Sequence, residues 1–183
     1  LVDSDNPQGR NAEANFAFYA PRRLEAEVLI DALNEITGTT EKYSSAIPEP
    51  FTFIPEDKRA VALPDGSITS SFLELFGRPA RATGLENERV TRPLPSQRLH
   101  MRKSSHIQRK LKEGPKMKAI LDSGRRSRDV IEELYLTILS RFPTTDEYRN
   151  AESHAKSSVV KGREGYVDVA WALINSAEFM YRN

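Results

Sequence analysis

The chain has 183 residues, enough for one domain with a real hydrophobic core. Its 27 Lys and Arg nearly balance 26 Asp and Glu, and a formal net charge of +1 gives no global pull toward nucleic acid or an anionic membrane. The absence of cysteine excludes disulfides, zinc–thiolate sites, iron–sulfur ligation and covalent haem attachment.

No apolar run approaches the roughly 18–20 residues a membrane-spanning helix needs, and no signal peptide is visible. The first residue is Leu1 rather than Met, so the sequence reads as a piece of a longer protein. The charge is placed unevenly. Between Arg98 and Arg128 there are eleven Lys and Arg against only Glu113 and Asp122, a local +9, which leaves −8 for the remainder. Two solvated faces that attract each other, within the chain or between domains, are the simplest expectation. A polyanion-binding patch through 98–128 is the alternative, although this segment lacks the aromatic side chains on which bases stack.

Residues 1–20 read as a polar lead-in rich in turn formers. Asp3 and Asp5 open like a calcium loop, but Pro7 stands where a third ligand belongs and no Glu follows at the twelfth position. A first helix is expected over about 22–37. Pro21 suits its start, Leu24, Val28, Leu29, Ala32, Leu33 and Ile36 form an apolar stripe, and Gly38 caps its end. Pro48, Pro50, Pro55 and Pro64 then break the chain into a long ordered loop, with at most a small hairpin around Asp65–Gly66, anchored by Phe51, Phe53 and Ile54. Ser71 and Glu74 suggest a capping box for a short helix over 71–76, closed by Gly77.

The stretch that follows, "GRPARATGLENER" (77–89), is the candidate ligand-binding site, with Arg78, Arg81, Glu86, Glu88 and Arg89. These arginines can converge on a carboxylate, sulfate or phosphate. Equally, they can pair with Glu86, Glu88 and helix C-terminal carbonyls and so clasp the loop to the helices. From Ser96 onward helix follows helix. Ser96, Ser105 with Gln108, Ser127, and Thr144 with Glu147 are read as N-caps, and Gly114–Pro115, Gly124 and Pro143 as stops. The strongest helix carries Val130, Ile131, Leu134, Tyr135, Ile138 and Leu139. A polar helix is expected over about 145–159 and a last pair over about 164–175 and 177–182.

The fold class is therefore mainly α: a helical bundle with long irregular Pro-rich loops and at most a small β-hairpin. One domain is expected over 1–183, with a lead-in at 1–20, a helix and loops at 21–95, and the bundle at 96–183.

No catalytic signature is present. His100 and His106 lie six apart across an expected helix break, the wrong spacing for a helical metal pair, and His154 is distant in sequence. Glu132 and Glu133 point about 100° apart on a helix, and Glu25 and Glu27 are excluded as one site on the same geometry. Trp171 sits among Val169, Ala170, Ala172 and Leu173 and reads as core rather than as a sugar platform. No metal or cofactor is expected.

Four stretches, in this order, carry a resemblance: "PRRLEAEVLIDALNEITGT" (21–39), "SFLELFGRPARATGLENER" (71–89), "EELYLTILSRFPTTDE" (132–147) and "DVAWALINSAEFMYRN" (168–183). Together they resemble the planctomycete-type domain of unknown function numbered 1553. That resemblance implies an extracytoplasmic setting. It also implies a place as the C-terminal part of a large multidomain protein with a sister domain and often a cytochrome-c-like domain upstream. It brings no established reaction. The family's "CECER"-like cysteines are replaced here by Leu85 and Asn87, and "RLHMRKSSHIQRKL" (98–111) is more basic than the family's apolar "LHLLN"-like version. The functional expectation is a non-catalytic scaffold or docking module that contacts upstream domains or a protein partner. The alternatives are a carbohydrate-active domain and polyanion binding.

Overall fold

The computed structural model describes residues 22–45, 47, 54, 57–63, 67–79, 89–90, 92–157 and 162–182. Among them the chain is mainly helical. The first long helix is α1 (Ala26–Thr37), and a short α2 (Ser71–Leu75) follows the irregular region. The bundle is formed by α3 (Pro95–Lys103), α4 (Ser105–Glu113), α5 (Pro115–Leu121), α6 (Ser127–Leu139), α7 (Thr145–Ala155), α8 (Arg163–Ile174) and α9 (Ala177–Met180). Two short antiparallel pairs complete it: β1 (Arg22–Arg23) with β4 (Tyr181–Arg182), and β2 (Ser44–Ser45) with β3 (Ile68–Thr69).

The helices share one core. Leu29, Ile30 and Leu33 of α1, Phe72 and Leu73 of α2, Ile107 of α4, Met117 of α5, Ile131 and Leu134 of α6, and Ala170 and Ile174 of α8 are essentially solvent-free within it. No helix among the described residues is long and apolar enough to cross a membrane.

Local chemistry sets the helix ends. Gly38 takes φ +70° after α1 and Gly77 takes φ +89° after α2, the left-handed region that favours glycine. Thr144 accepts from the Glu147 amide while the Glu147 carboxylate accepts from the Thr144 amide at 2.8 Å, so the expected capping box opens α7. Arg141 grips that carboxylate with two hydrogen bonds and also reaches Glu178 at the start of α9. The Arg141 bonds and the Thr144 amide hold the Glu147 carboxyl down at about 2.

Several boundaries differ from the sequence expectation. The first helix starts at Ala26 rather than at 22, because Arg22 and Arg23 are drawn into a strand by Tyr181–Arg182. For the same reason the last helix ends at Met180. Caps fall one residue earlier than expected: Ser70 accepts from the Leu73 amide, and Ser104 from the His106 amide. The first of α3 is Pro95, with the Gln97 side chain accepting from the Leu94 amide, and Ser127 lies inside α6 rather than capping it. The apolar stripe of α1 is rotated too: Val28 is exposed whereas Ile30 is fully buried. The hairpin expected at Asp65–Gly66 and the anchors Phe51 and Phe53 lie outside the described residues.

At the junction of α4 and α5 the backbone comes close to the end of α1. A Cβ at Gly114 would lie 2.5 Å from the carbonyl oxygens of both Lys110 and Thr37. Two backbone atoms cannot swing aside, so Gly114→Ala must part α1 from α4. The expected loss is about 1–3 kcal/mol, read in urea unfolding as a lower midpoint at unchanged slope.

Candidate functional site

Helix α1 is buried on two faces. One is apolar. The other carries Glu27, Asp31 and Asn34, at spacings of four and three that stack them along one side. Glu27 and Asp31 are each only 6% exposed. Buried charges need partners, and here the irregular N-terminal half supplies them.

Glu27 receives a two-pronged guanidinium contact from Arg89, with both nitrogen–oxygen distances 2.9 Å, and Arg78 approaches at 3.3 Å. Burial pushes the Glu27 carboxyl up, but the Arg89 hydrogen bonds, its own amide and the two positive charges outweigh this and hold it below the usual carboxylate range. Arg78 also donates to the Ile68 carbonyl at 2.7 Å, joining β3 to the clasp. Glu25 approaches Arg89 at 3.6 Å. The sequence geometry excluded Glu25 and Glu27 from one site, but Glu25 is the extended N-cap residue, so the helical angle does not separate them.

Arg23 closes the clasp from below. It donates to the carbonyls of Phe76 and Val90, at 2.8 and 3.2 Å, with its guanidinium over the Phe76 ring. The Val90 amide donates to the Gly77 carbonyl, and a Cβ on Gly77 would meet the Val90 carbonyl oxygen at 2.5 Å. The two ends of the 77–90 segment are thus stapled together over α1. Of the five site residues expected from sequence, Arg78 and Arg89 meet on Glu27, while Arg81, Glu86 and Glu88 lie outside the described residues. The carboxylate at the centre was not among them, because charged residues are read as solvent-facing by default.

Further along the same face, Asp31 accepts from the amides of Ala60 and Val61 at 2.7 and 3.1 Å and so caps a single 3₁₀ turn at Ala60–Ala62. Asn34 accepts from Lys110 of α4 at 2.7 Å. Lys110 is buried with Thr39, the Thr40 carbonyl and Glu41 also within 3.2 Å. Burial pulls the Lys110 pKa down against the opposing charge of Glu41. Glu41 is bonded to His106 Nε2 at 2.9 Å. Burial raises its carboxyl, yet His106 and Lys110 bring it below the usual value. Tyr43 is buried nearby, and burial with Asp31 and Glu41 pushes its phenol far up.

The break at Ser104, expected to separate the two histidines, instead folds them together. The His100 and His106 rings are 5.9 Å apart, both edge-on to Phe72, which stacks on Phe76. His100 Nε2 is buried and has no hydrogen-bond partner. No group of three potential ligands among the described residues is placed to hold a metal ion. Chemically, this layer of the molecule uses its acids, amides and cations to bond one another.

The basic segment divides in two. Lys110, Lys112 and Lys116 pair with Glu41, Glu164 and Glu35, and Arg125, Arg126 and Arg128 with Glu133, Asp129 and Glu132. The attraction between oppositely charged faces expected from sequence thus operates within the chain. Among the described residues Arg98, Arg102, Lys103, Arg109 and Lys118 have no acidic partner. Arg98, Arg102 and Lys103 surround a hollow of about 400 Å³ together with Pro93, Pro95 and Leu99. Leu99 is 58% exposed, and Val90 and Leu94 close by in sequence are also exposed.

The chain matches no family model, and neither a curated protein nor a solved structure matches it.

Two outcomes are expected. Glu27→Ala removes the buried carboxylate that Arg78 and Arg89 share and should lower unfolding stability by about 3 kcal/mol, measured in urea. Burial first, and the neighbouring His106 second, hold the His100 pKa below its ordinary 6.5. The unfolded chain therefore takes up this proton more readily than the folded one, and the His100 contribution is complete above pH 6.5 and lost as pH falls toward the depressed value. The melting temperature of His100→Leu should accordingly fall less between pH 7.5 and pH 5 than that of the unaltered chain; equal falls would contradict the assignment.

Proposed function

We propose that this chain is a non-catalytic helical docking module in a large extracytoplasmic multidomain protein. Its partner is an acidic, partly apolar surface on an upstream domain of the same polypeptide. The setting follows from the resemblance to the planctomycete-type domain of unknown function. The observation that carries the docking role is the hollow on α3, where Arg98, Arg102 and Lys103 have no acidic partner among the described residues and stand around the exposed Leu99. Of the remaining cations of the segment, Lys110, Lys112, Lys116, Arg125, Arg126 and Arg128 are paired with acids of this chain, and Arg109 and Lys118 stand apart from this hollow. An unpaired basic cluster beside exposed apolar side chains offers steering charge and desolvatable area together, the two ingredients of a specific contact.

The arginines of the 77–90 segment support the same reading. Arg78 and Arg89 hold the internal carboxylate of Glu27. A ligand-binding role for Arg78, Arg81, Glu86, Glu88 and Arg89 would have to displace that bond.

Backbone amides of residues 93–103 should exchange more slowly in the parent polypeptide than in the isolated chain. The triple change Arg98→Glu, Arg102→Glu, Lys103→Glu should erase the difference. Equal exchange in both settings overturns the proposal. Heparin binding by the isolated chain that falls steeply with salt, with no such protection in the parent, would put polyanion binding in its place.

A further inference from the structure

A separate groove of about 720 Å³ opens between α4, α7 and α8, away from the clasp around Glu27. Its volume lies within the roughly 300–1,000 Å³ typical of small-molecule sites. The floor is apolar: Leu111, Ala151 and Val167 line it and are buried. Trp171, expected to be pure core, packs on the core with part of its surface and lines the groove with the rest. Polar groups stand around this floor. His154 Nε2 and Asp168 Oδ2 are 3.2 Å apart, each about half exposed. Asn150 and Gln108 are exposed, and among the described residues neither amide is bonded to another side chain or to backbone.

These features select a ligand chemistry. The indole and the aliphatic floor ask for an apolar face. Around them are two amides and a carboxylate–imidazole pair; Arg102, Lys112 and Glu147 also line the groove, and of these Lys112 and Glu147 are already paired with Glu164 and Arg141. A phosphate-rich ligand could pair with Arg102 but would also meet the carboxylates of Asp168 and Glu147, so a neutral ligand fits this mixed lining better. A purely apolar ligand would leave the amides and the carboxylate desolvated without partners, which is costly. A pyranose ring satisfies both demands. It has an apolar face of C–H groups, and every hydroxyl on its rim both donates and accepts.

We infer that this groove is a binding site for a short, neutral oligosaccharide, with Trp171 as the platform for one ring. Asp168 accepts from a pair of hydroxyls, and Asn150 and Gln108 bridge the hydroxyls of the next ring. His154 holds the Asp168 carboxylate in place. The site makes and breaks no bond. It adjoins the docking hollow on α3 at Arg102 but binds through Trp171, Asp168, Asn150 and Gln108, which do not line that hollow, so substitutions at these residues test it separately.

Trp171 is the only tryptophan of the chain, which makes its fluorescence a direct reporter. Titration with the neutral trisaccharides of glucose, xylose, mannose, galactose and N-acetylglucosamine should give, for at least one of them, a saturable change half complete at about 0.1–5 mM, the range of a shallow site. Asp168→Asn and Asn150→Ala should each weaken that sugar about tenfold. Lys118→Ala, outside the groove, should leave it unchanged, and circular dichroism of all three variants should match the unaltered chain. Calorimetry on Trp171→Phe should show reduced affinity for the same sugar. No saturable change with any of the five sugars up to about 20 mM overturns the inference. So does a change that survives both groove substitutions, or one produced by adenosine monophosphate or benzoate and by none of the sugars.

Discussion

A charged carboxylate in the interior must find partners that arrive from a defined direction, and Glu27 imposes this on both ends of the 77–90 segment. Its oxygens fix Arg89 and Arg78, eleven residues apart in the chain. Asp31 and Asn34 repeat the device one and two turns along, gathering the 60–62 turn and, through Lys110, the 39–41 segment. Apolar packing alone would hold these loops without specifying how they lie. Buried ion pairs contribute little net stability over apolar residues, but they are strict about geometry, and loss of one partner is severe. The helical half is thus organised by non-directional burial and the irregular half by directional bonds, with α1 facing both.

Periodicity made the helical half legible. The apolar spacing in 130–139, the Thr144–Glu147 box and the Gly114–Pro115 stop correspond to real elements and ends. The errors have physical causes. Residues 22–23 carry no signal of the strand they form, because its partner lies at 181–182. Val28 and Ile30 are both apolar, so an amphipathic count cannot decide which faces inward when a second, polar face is also buried. Of the candidate ligand residues, Arg78 and Arg89 were singled out, but their common partner was not. A Glu–x₃–Asp–x₂–Asn spacing on a helix that also has a full apolar stripe was the available signal for it. The two histidines show the reverse case, since a helix break brought together what linear spacing kept apart.

The charge asymmetry of the sequence resolves into two populations with different roles. Most cations of 98–128 fasten α4, α5 and α6 to neighbouring acids, and such exposed pairs add only about 0–1 kcal/mol each. Those on α3 remain open to solvent. Arg102 lies where the α3 hollow and the oligosaccharide groove adjoin, since it lines both. Occupancy of one can therefore be felt at the other through a single side chain rather than through the core.

The two-residue ladder between β1 and β4 has a mechanical consequence. Arg22 pairs with Arg182 and Arg23 with Tyr181, so the described residues 22–23 and 181–182 lie side by side, with the outermost rung at residues 22 and 182. A load drawn between the flanks of this body peels the rungs apart in succession instead of shearing them together. The second to part, Arg23 with Tyr181, frees Arg23, whose side chain spans the two ends of the 77–90 staple. A load applied at residues 22 and 182 thus reaches the loop clasp before the helical core.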